Sequence, residues 1–209
     1  MHLFWEMINR LNVVSSTLNI GGSVPPLLAR ELCYLQFRKI CEMLALGSVF
    51  LHGDLPTAKS LNSEWNAGDI MRKLSRLHQD FFPRSATVVM NGFIGKNRSW
   101  QLVENHNKNA LTAPELRQLY SECGEILHRG KIKNLDLIMP LGEADFTKVV
   151  YWQEKLVALI NGHVVHRANG LGFYFFDARD ASGRPSCMVG VFQGDALHVH
   201  TISSNFGPA

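Results

Sequence analysis

The sequence lacks the short motifs that identify most nucleotide-binding and hydrolytic enzymes. It has no Gly-x-Gly-x-x-Gly after a strand, no Gly-x-x-x-x-Gly-Lys-Ser/Thr loop, no His-Glu-x-x-His and no Gly-x-Ser-x-Gly. It has no internal repeat and no low-complexity tract. The sequence therefore carries none of the familiar motifs of nucleotide-binding and hydrolytic enzymes. We predict that the protein uses no cofactor.

Cysteine is also scarce, and none of the residues forms a Cys-x-x-Cys pair or another zinc-binding spacing. Two of them lie eight residues apart in one predicted helix, about 12 Å along its axis, which is too far for a disulfide. We therefore expect buried, reduced thiols, as in a cytoplasmic protein. The four cysteines are Cys33, Cys41, Cys123 and Cys187.

Long uncharged apolar runs and a secretory signal are missing as well. The most apolar stretch is interrupted by Glu31, Arg38 and Glu42, and residues 1–12 lack the charged start and cleavable apolar run of a signal peptide. We expect a soluble cytoplasmic protein with no membrane partner.

The composition of the 209 residues is that of a globular protein with a substantial core. Hydrophobic residues make up 46% and charged residues 19%. The net charge of +3 permits contact with RNA but is too small to indicate a dedicated nucleic-acid binder. The tryptophans are dispersed, which favours core anchors over a base-stacking platform; they are Trp5, Trp65, Trp100 and Trp152.

Apolar residues at helical spacing predict five helices in the first three quarters of the chain. The longest, Pro25–Gly53, is apolar nearly all round, which is typical of the central helix of a bundle. Ser63 is a predicted N-cap, and Thr112 to Glu115 form a capping box. The predicted helices cover 3–18, 25–53, 63–79, 113 to about 130, and 145–161.

Strand signals dominate after Gly162. The segments 171–178 and 186–193 are rich in Val, Phe and Tyr and predict a hairpin, to which 196–203 adds a third strand. Earlier, 86–93 predicts a short strand or extended arm, and the polar segment 95–109 predicts a surface loop. The fold class is therefore α+β: a helical bundle over 1–161 and a small antiparallel sheet over 162–209 packed on it.

Glu31, Arg38 and Glu42 fall within roughly 40° of one another on the Pro25–Gly53 helix, with Tyr34 and His52 beside them. One interpretation is an internal ion network that fixes how the helix packs, because buried charges need partners. The other is a ligand-binding pocket lined by carboxylates, an arginine and a histidine.

The segment from Tyr120 to Lys133 forms a second candidate site. His128 ends a predicted helix, and Arg129, Lys131 and Lys133 follow it. Basic groups there complement the helix dipole. Alternatively they form a phosphate- or RNA-facing patch, in which His128 acts as general acid or base.

His198 and His200 share one face of a predicted strand and could reach one metal ion, with Asp177, Asp180 or Asp195 completing the site. Short His-x-His pairs arise often by chance, so we predict no metal site.

Three segments, QFRKICEMLALGSVFLHGD, EWNAGDIMRKLSRLHQDFFPR and LTAPELRQLYSECGEILHRG, resemble a family of bacterial proteins without an established activity. Its members share an Arg-Lys-Ile-x-Glu helix, a Trp-Asn-Ala helix closed by Phe-Phe/Tyr-Pro, and a Tyr-x-x-Cys-Gly-x-Ile/Leu-Leu-His segment. The resemblance covers about residues 30–135. It implies a helical body and brings no catalytic residue.

The chain also resembles HEPN-type helical bundles, some of which are ribonucleases with an Arg followed four to six residues later by His. Arg72 and His78 have five residues between them, but Lys73 stands where the family has a polar Asn, Asp or His. The resemblance implies an RNA-cleaving activity with His78 or His128 as acid or base.

Three functional hypotheses follow, and whether the protein is an enzyme stays open among them. The first is a cytoplasmic bacterial module, in stress or phage defence, that binds a protein partner or a second copy of itself. The second is a HEPN-type ribonuclease. The third is a sensor of a small anion, with a pocket between the Pro25–Gly53 helix and the C-terminal sheet and with Arg38 binding the anion.

Overall fold

The computed structural model describes residues 1–19, 24–53, 61, 64, 66–94, 97–128, 144–168, 170, 172–179, 183–193 and 196–203. Within these residues the chain forms five α-helices and a six-stranded sheet, which confirms the α+β class. The helices are α1 (His2–Asn19), α2 (Pro26–Leu51), α3 (Ala67–Leu77), α4 (Ala113–Leu127) and α5 (Thr147–Ile160). The strands are β1 (Arg84–Ile94), β2 (Asn97–Glu104), β3 (Gly162–His166), β4 (Gly172–Asp177), β5 (Ser186–Gln193) and β6 (Ala196–Ser203).

The long helix α2 lies at the centre of the helical layer, as its composition predicted, and it contacts all four other helices. Pro26 occupies its first turn, where a missing N–H costs nothing, and His52 caps its end. Arg10 of α1 donates to the side chain of the buried Gln36 at 2.7 Å, which ties α1 to α2.

The third helix starts later than predicted. It begins at Ala67, and its N-cap is Asn66, whose side-chain oxygen accepts the N–H of Asp69 at 3.1 Å. Ser63, the predicted cap, lies outside the described residues. Both residue types cap helices well, so the local sequence alone did not discriminate between them.

The sheet is antiparallel throughout, in the order β2-β1-β3-β4-β5-β6. The predictions of β1, β4, β5 and β6 are confirmed, whereas the surface loop predicted over 95–109 is wrong, because β2 occupies Asn97–Glu104. This strand is half-buried or exposed where its side chains are described, so its polar composition resembles that of a loop. The sheet therefore takes two strands, β1 and β2, from the segment 1–161 that was predicted to be mainly helical.

The hairpin of β1 and β2 extends past the rest of the sheet. Only Arg84 and Ser85 of β1 pair with β3, whereas β1 pairs with β2 as far as Ile94. Trp100 on this hairpin is 58% exposed, so its predicted role as a core anchor is wrong, while that of Trp152 is confirmed.

The sheet packs on the helical layer through a shared apolar core. Phe4 of α1 lies against Phe176 of β4 at a ring-centroid distance of 5.3 Å, and Val165 and Cys187 join the same cluster. The division into units 1–161 and 162–209 stays a prediction.

The carboxylate of Glu115 connects the start of α4 to α5. Glu115 accepts hydrogen bonds from the N–H and the hydroxyl of Thr112, at 2.9 and 2.8 Å, which confirms the capping box. Its other oxygen pairs with the buried Lys155 of α5 at 2.9 Å. Although burial raises the pKa of Glu115, the hydrogen bonds from Lys155 and Thr112 outweigh it and lower that pKa.

We expect Glu115→Gln to lower the free energy of unfolding by about 1 to 2 kcal/mol at neutral pH, because a cap and a charge-assisted hydrogen bond weaken together. A lowered carboxyl pKa contributes stability above the unfolded-state pKa, and this contribution is lost as the pH falls through the folded-state pKa. Urea unfolding should therefore show the two proteins converging in acid. Glu125→Gln, at an exposed position of α4, is the control; an equal loss there would contradict the role of Glu115.

Candidate functional site

The predicted charge cluster on α2 is built around Arg38. Its Nε donates to Glu42 at 3.3 Å and its Nη2 to the hydroxyl of Tyr120 on α4 at 3.2 Å, while its guanidinium lies 4.8 Å from the centre of the Tyr120 ring. Lys39 also pairs with Glu42, at 2.8 Å. Glu31, one heptad before Arg38, is half-buried. Arg38 and Tyr120 thus join α2 to α4.

His52 does not belong to this cluster. It follows Arg38 by fourteen residues, which corresponds to about 21 Å along α2. Its side chain is fully buried, and its Nδ1 lies 2.7 Å from the carbonyl oxygen of Ser48. The expected ligand-binding pocket containing both Arg38 and His52 is therefore divided between two places on the helix.

His52 instead lies beside His78, at the end of α3, with a ring-centroid distance of 5.2 Å. Arg72 is exposed and pairs with Asp69 at 2.6 Å. The contacts of Arg72 and His78 thus involve different partners, and His78 follows Arg72 by six positions as the extended C-cap of α3. Ribonuclease activity by these residues stays a prediction.

The remaining predicted site residues fall mostly at the surface or outside the described residues. His128 is the exposed C-cap of α4, and Arg129 and Lys131 lie outside the described residues. His200 is exposed on β6, and Asp180 and Asp195 are not described. Within the described part of the chain, no group of three His, Cys, Asp or Glu side chains could hold a metal ion.

The four cysteines are free and buried, which confirms the expected thiols. Burial raises the pKa of Cys33 and Cys187 to about 11 and that of Cys123 to about 12, and it raises the pKa of Cys41 well above its usual value. These side chains are thiols at neutral pH and do not supply a thiolate nucleophile.

The most unusual surface of the described residues is the solvent-facing side of α2. The helix has six exposed positions, and five of them carry Leu or Phe. Phe50 is 82% exposed. We call this set the α2 stripe: Leu28, Leu32, Leu35, Lys39, Leu46 and Phe50.

The α2 stripe follows one side of the helix. Its spacings of three, four and seven residues keep every member within roughly 40° of a common line, and it extends about 33 Å from Leu28 to Phe50. Lys39 and the neighbouring Glu42 lie near its middle. Exposed apolar surfaces of this extent mark interaction sites in proteins of this size. No helix among the described residues is long and apolar enough to span a membrane.

Sequence reasoning treated α2 as apolar all round and so missed the stripe. The heptad-like spacing from Leu28 to Phe50 is readable in the sequence. What the sequence does not show is that α1, α3, α4 and α5 all pack on the other sides and leave this one open.

Comparison of the chain with protein-family models, with curated proteins and with solved structures finds no match. The functional argument therefore depends on the geometry of the described residues.

Proposed function

We propose that the protein is a self-associating helical module in which two copies pair through their α2 stripes. The observation that supports this most directly is the run of five exposed Leu and Phe side chains on one side of the central helix. Covering such side chains removes apolar area from water, which stabilises the pair by roughly 25 cal/mol for each Å² removed. A twofold axis lets the same surface cover itself, which is the commonest form of homodimer.

The charges of the stripe favour an antiparallel arrangement. With the axis between residues 40 and 41, Lys39 faces Glu42 of the second copy, and Leu35 faces Leu46 of that copy. A parallel arrangement would instead bring the two Lys39 ammonium groups together in a largely apolar surface, which is unfavourable. Leu32 then lies close to the second copy's Phe50, so the N-terminal half of each stripe covers the C-terminal half of the other.

We expect the wild type to be a dimer at micromolar concentrations and Leu35→Glu to weaken the dimer at least about thirty-fold, because a central interface residue contributes about 2 kcal/mol or more. Sedimentation equilibrium or light scattering across a concentration series measures this. Val150→Glu is the matched control, since Val150 of α5 is exposed to a similar degree but lies outside the stripe. A wild type that stays monomeric to about 100 µM would overturn the proposal.

Cysteine cross-linking tests the orientation. In the antiparallel pair, position 35 lies opposite position 46 of the other copy, whereas the two copies of position 35 are about 16 Å apart. A disulfide needs Cα atoms within about 7 Å. A mixture of Leu35→Cys and Leu46→Cys copies should therefore form a disulfide-linked dimer under mild oxidation, and neither variant should do so alone. Cross-linking of Leu35→Cys by itself would indicate parallel pairing instead.

A further inference from the structure

A cavity of about 290 Å³ opens between the start of α1, the end of α2 and strands β3 and β4. It lies between the long helix and the C-terminal part of the sheet, the region in which the sensor hypothesis assumed a pocket. Its wall is mainly apolar, with Phe4, Met7, Met43, Leu44, Val165 and Phe176 among the lining residues.

The polar group of interest in this wall is the imidazole of His163 on β3. The side chain is only 4% exposed, and its Nδ1 has no hydrogen-bond partner within the described part of the chain. The ring stacks on Phe176 at 5.0 Å and meets the edge of Phe4 at 5.5 Å, so aromatic neighbours hold it in place. The hydroxyl of Ser48, also in the wall, already donates to the carbonyl of Leu44 at 2.8 Å. A buried polar atom without a partner is costly, and a ligand group could satisfy it.

The wall of the cavity has few charged groups that could pair with an ionised ligand. No Asp, Glu, Lys or Arg side chain is among the described residues that line the cavity, and His2 is the other titratable side chain there. Arg38, the anion-binding residue of the sensor hypothesis, is engaged with Glu42 and Tyr120 and does not line it. An anion would find only the α-amino group of Met1 as a counter-charge and a cation would find none, so the loss of hydration favours an uncharged ligand.

The volume limits the size of the ligand. A cavity of about 150 Å³ accommodates benzene, and one roughly twice as large therefore accommodates about a dozen non-hydrogen atoms. We propose that this cavity binds an uncharged, mainly apolar molecule of that size, with one hydrogen-bonding group paired to the imidazole of His163. This proposal does not rest on self-association, although Phe50 lines the cavity and is also a member of the α2 stripe.

Three related probes test the proposal by titration calorimetry at neutral pH: 1-naphthol, naphthalene and the 1-naphthoate anion. We expect 1-naphthol to bind with a Kd of about 10 to 100 µM. Naphthalene should bind about five- to ten-fold more weakly, since it leaves the imidazole unpaired. Tighter binding of 1-naphthoate than of 1-naphthol would overturn the uncharged class, and equal binding of naphthol and naphthalene would overturn the role of His163.

Two variants locate the binding in this cavity. Gly47 lines it, and a Cβ added there meets no atom within 4 Å. Gly47→Leu should therefore fill the space and weaken 1-naphthol binding at least ten-fold, while thermal unfolding confirms that the helix tolerates the change. His163→Phe should retain naphthalene binding and lose the preference for naphthol. Unchanged binding of 1-naphthol to Gly47→Leu would overturn the assignment to this cavity.

Discussion

Trp152→Ala is expected to lower the free energy of unfolding by about 4 kcal/mol, which is typical of deleting a fully buried tryptophan. Trp152 lies on α5 and is 1% exposed, and its indole N–H donates to Glu122 of α4 at 3.0 Å. The substitution therefore opens a cavity in the core and leaves Glu122 with one fewer donor. Urea unfolding, monitored by circular dichroism, measures the change in the midpoint urea concentration and in the dependence of the free energy of unfolding on urea.

The neighbouring aromatic residue provides the matched control. Tyr151 is 45% exposed, so Tyr151→Ala removes a ring of similar size that is only partly buried and should cost about 1 kcal/mol or less. Trp152→Phe keeps most of the volume and loses the hydrogen bond, and it should fall between the two. Equal losses for Trp152→Ala and Tyr151→Ala would show that α5 does not pack through Trp152.

The second large effect is a dependence of stability on pH that originates at His163. Burial lowers the pKa of this imidazole from 6.5 to about 4, and the nearby backbone of Leu159 offsets this only in part. Between these two pH values the unfolded chain binds a proton that the folded protein does not. Stability therefore falls as the pH falls from about 6.5 to 4, by about 3 kcal/mol in total at 1.36 kcal/mol per pKa unit.

Other groups also titrate in this range, so the effect is measured as a difference between proteins. The free energy of unfolding of the wild type, of His163→Phe and of His2→Gln would be followed from pH 7 to pH 4. We expect the free energy of unfolding of His163→Phe to depend less on pH than that of the wild type. His2→Gln should keep the dependence of the wild type, because His2 lies in the same cavity wall but is exposed. The same dependence of stability on pH in all three proteins would contradict the conclusion that the His163 imidazole is buried and neutral.

Self-association is tested separately from both effects. The variants used there change exposed positions of α2, whereas Trp152 and His163 are buried. Loss of the dimer in Leu35→Glu, with an unchanged unfolding transition extrapolated to the monomer, would assign the effect to the interface rather than to the fold.

Elements with strong local signals were predicted well from the sequence. The Thr112 to Glu115 capping box starts α4 as expected, and Pro26 is in the first turn of α2, because capping and proline effects depend on neighbours in sequence. The strands β4 and β5 follow from dense Val and Phe content on either side of the segment 179–185, whose Asp, Ser, Gly and Pro are turn-forming residues. Strand β2 was missed because a strand at the edge of the sheet with many solvent-facing side chains has no apolar alternation of its own.

Candidate sites were predicted less well, because they depend on which elements pack together. Arg38 and Glu42 pair as helical spacing indicates, but Tyr120 reaches them only because α4 packs on α2. His52 and His78 are neighbours in space although the sequence assigned them to different sites.

By itself the sequence determined the α+β class, the long central helix, the buried thiols and the absence of an enzyme motif, since these depend on composition and on contacts within a few residues. The tertiary structure alone decided which side of α2 stays open to solvent and which residues enclose the cavity beside His163. The physical reason is that burial is a property of packing: leucine has the same chemistry on every side of a helix, and only the positions of the neighbouring helices and strands decide whether it is core or surface.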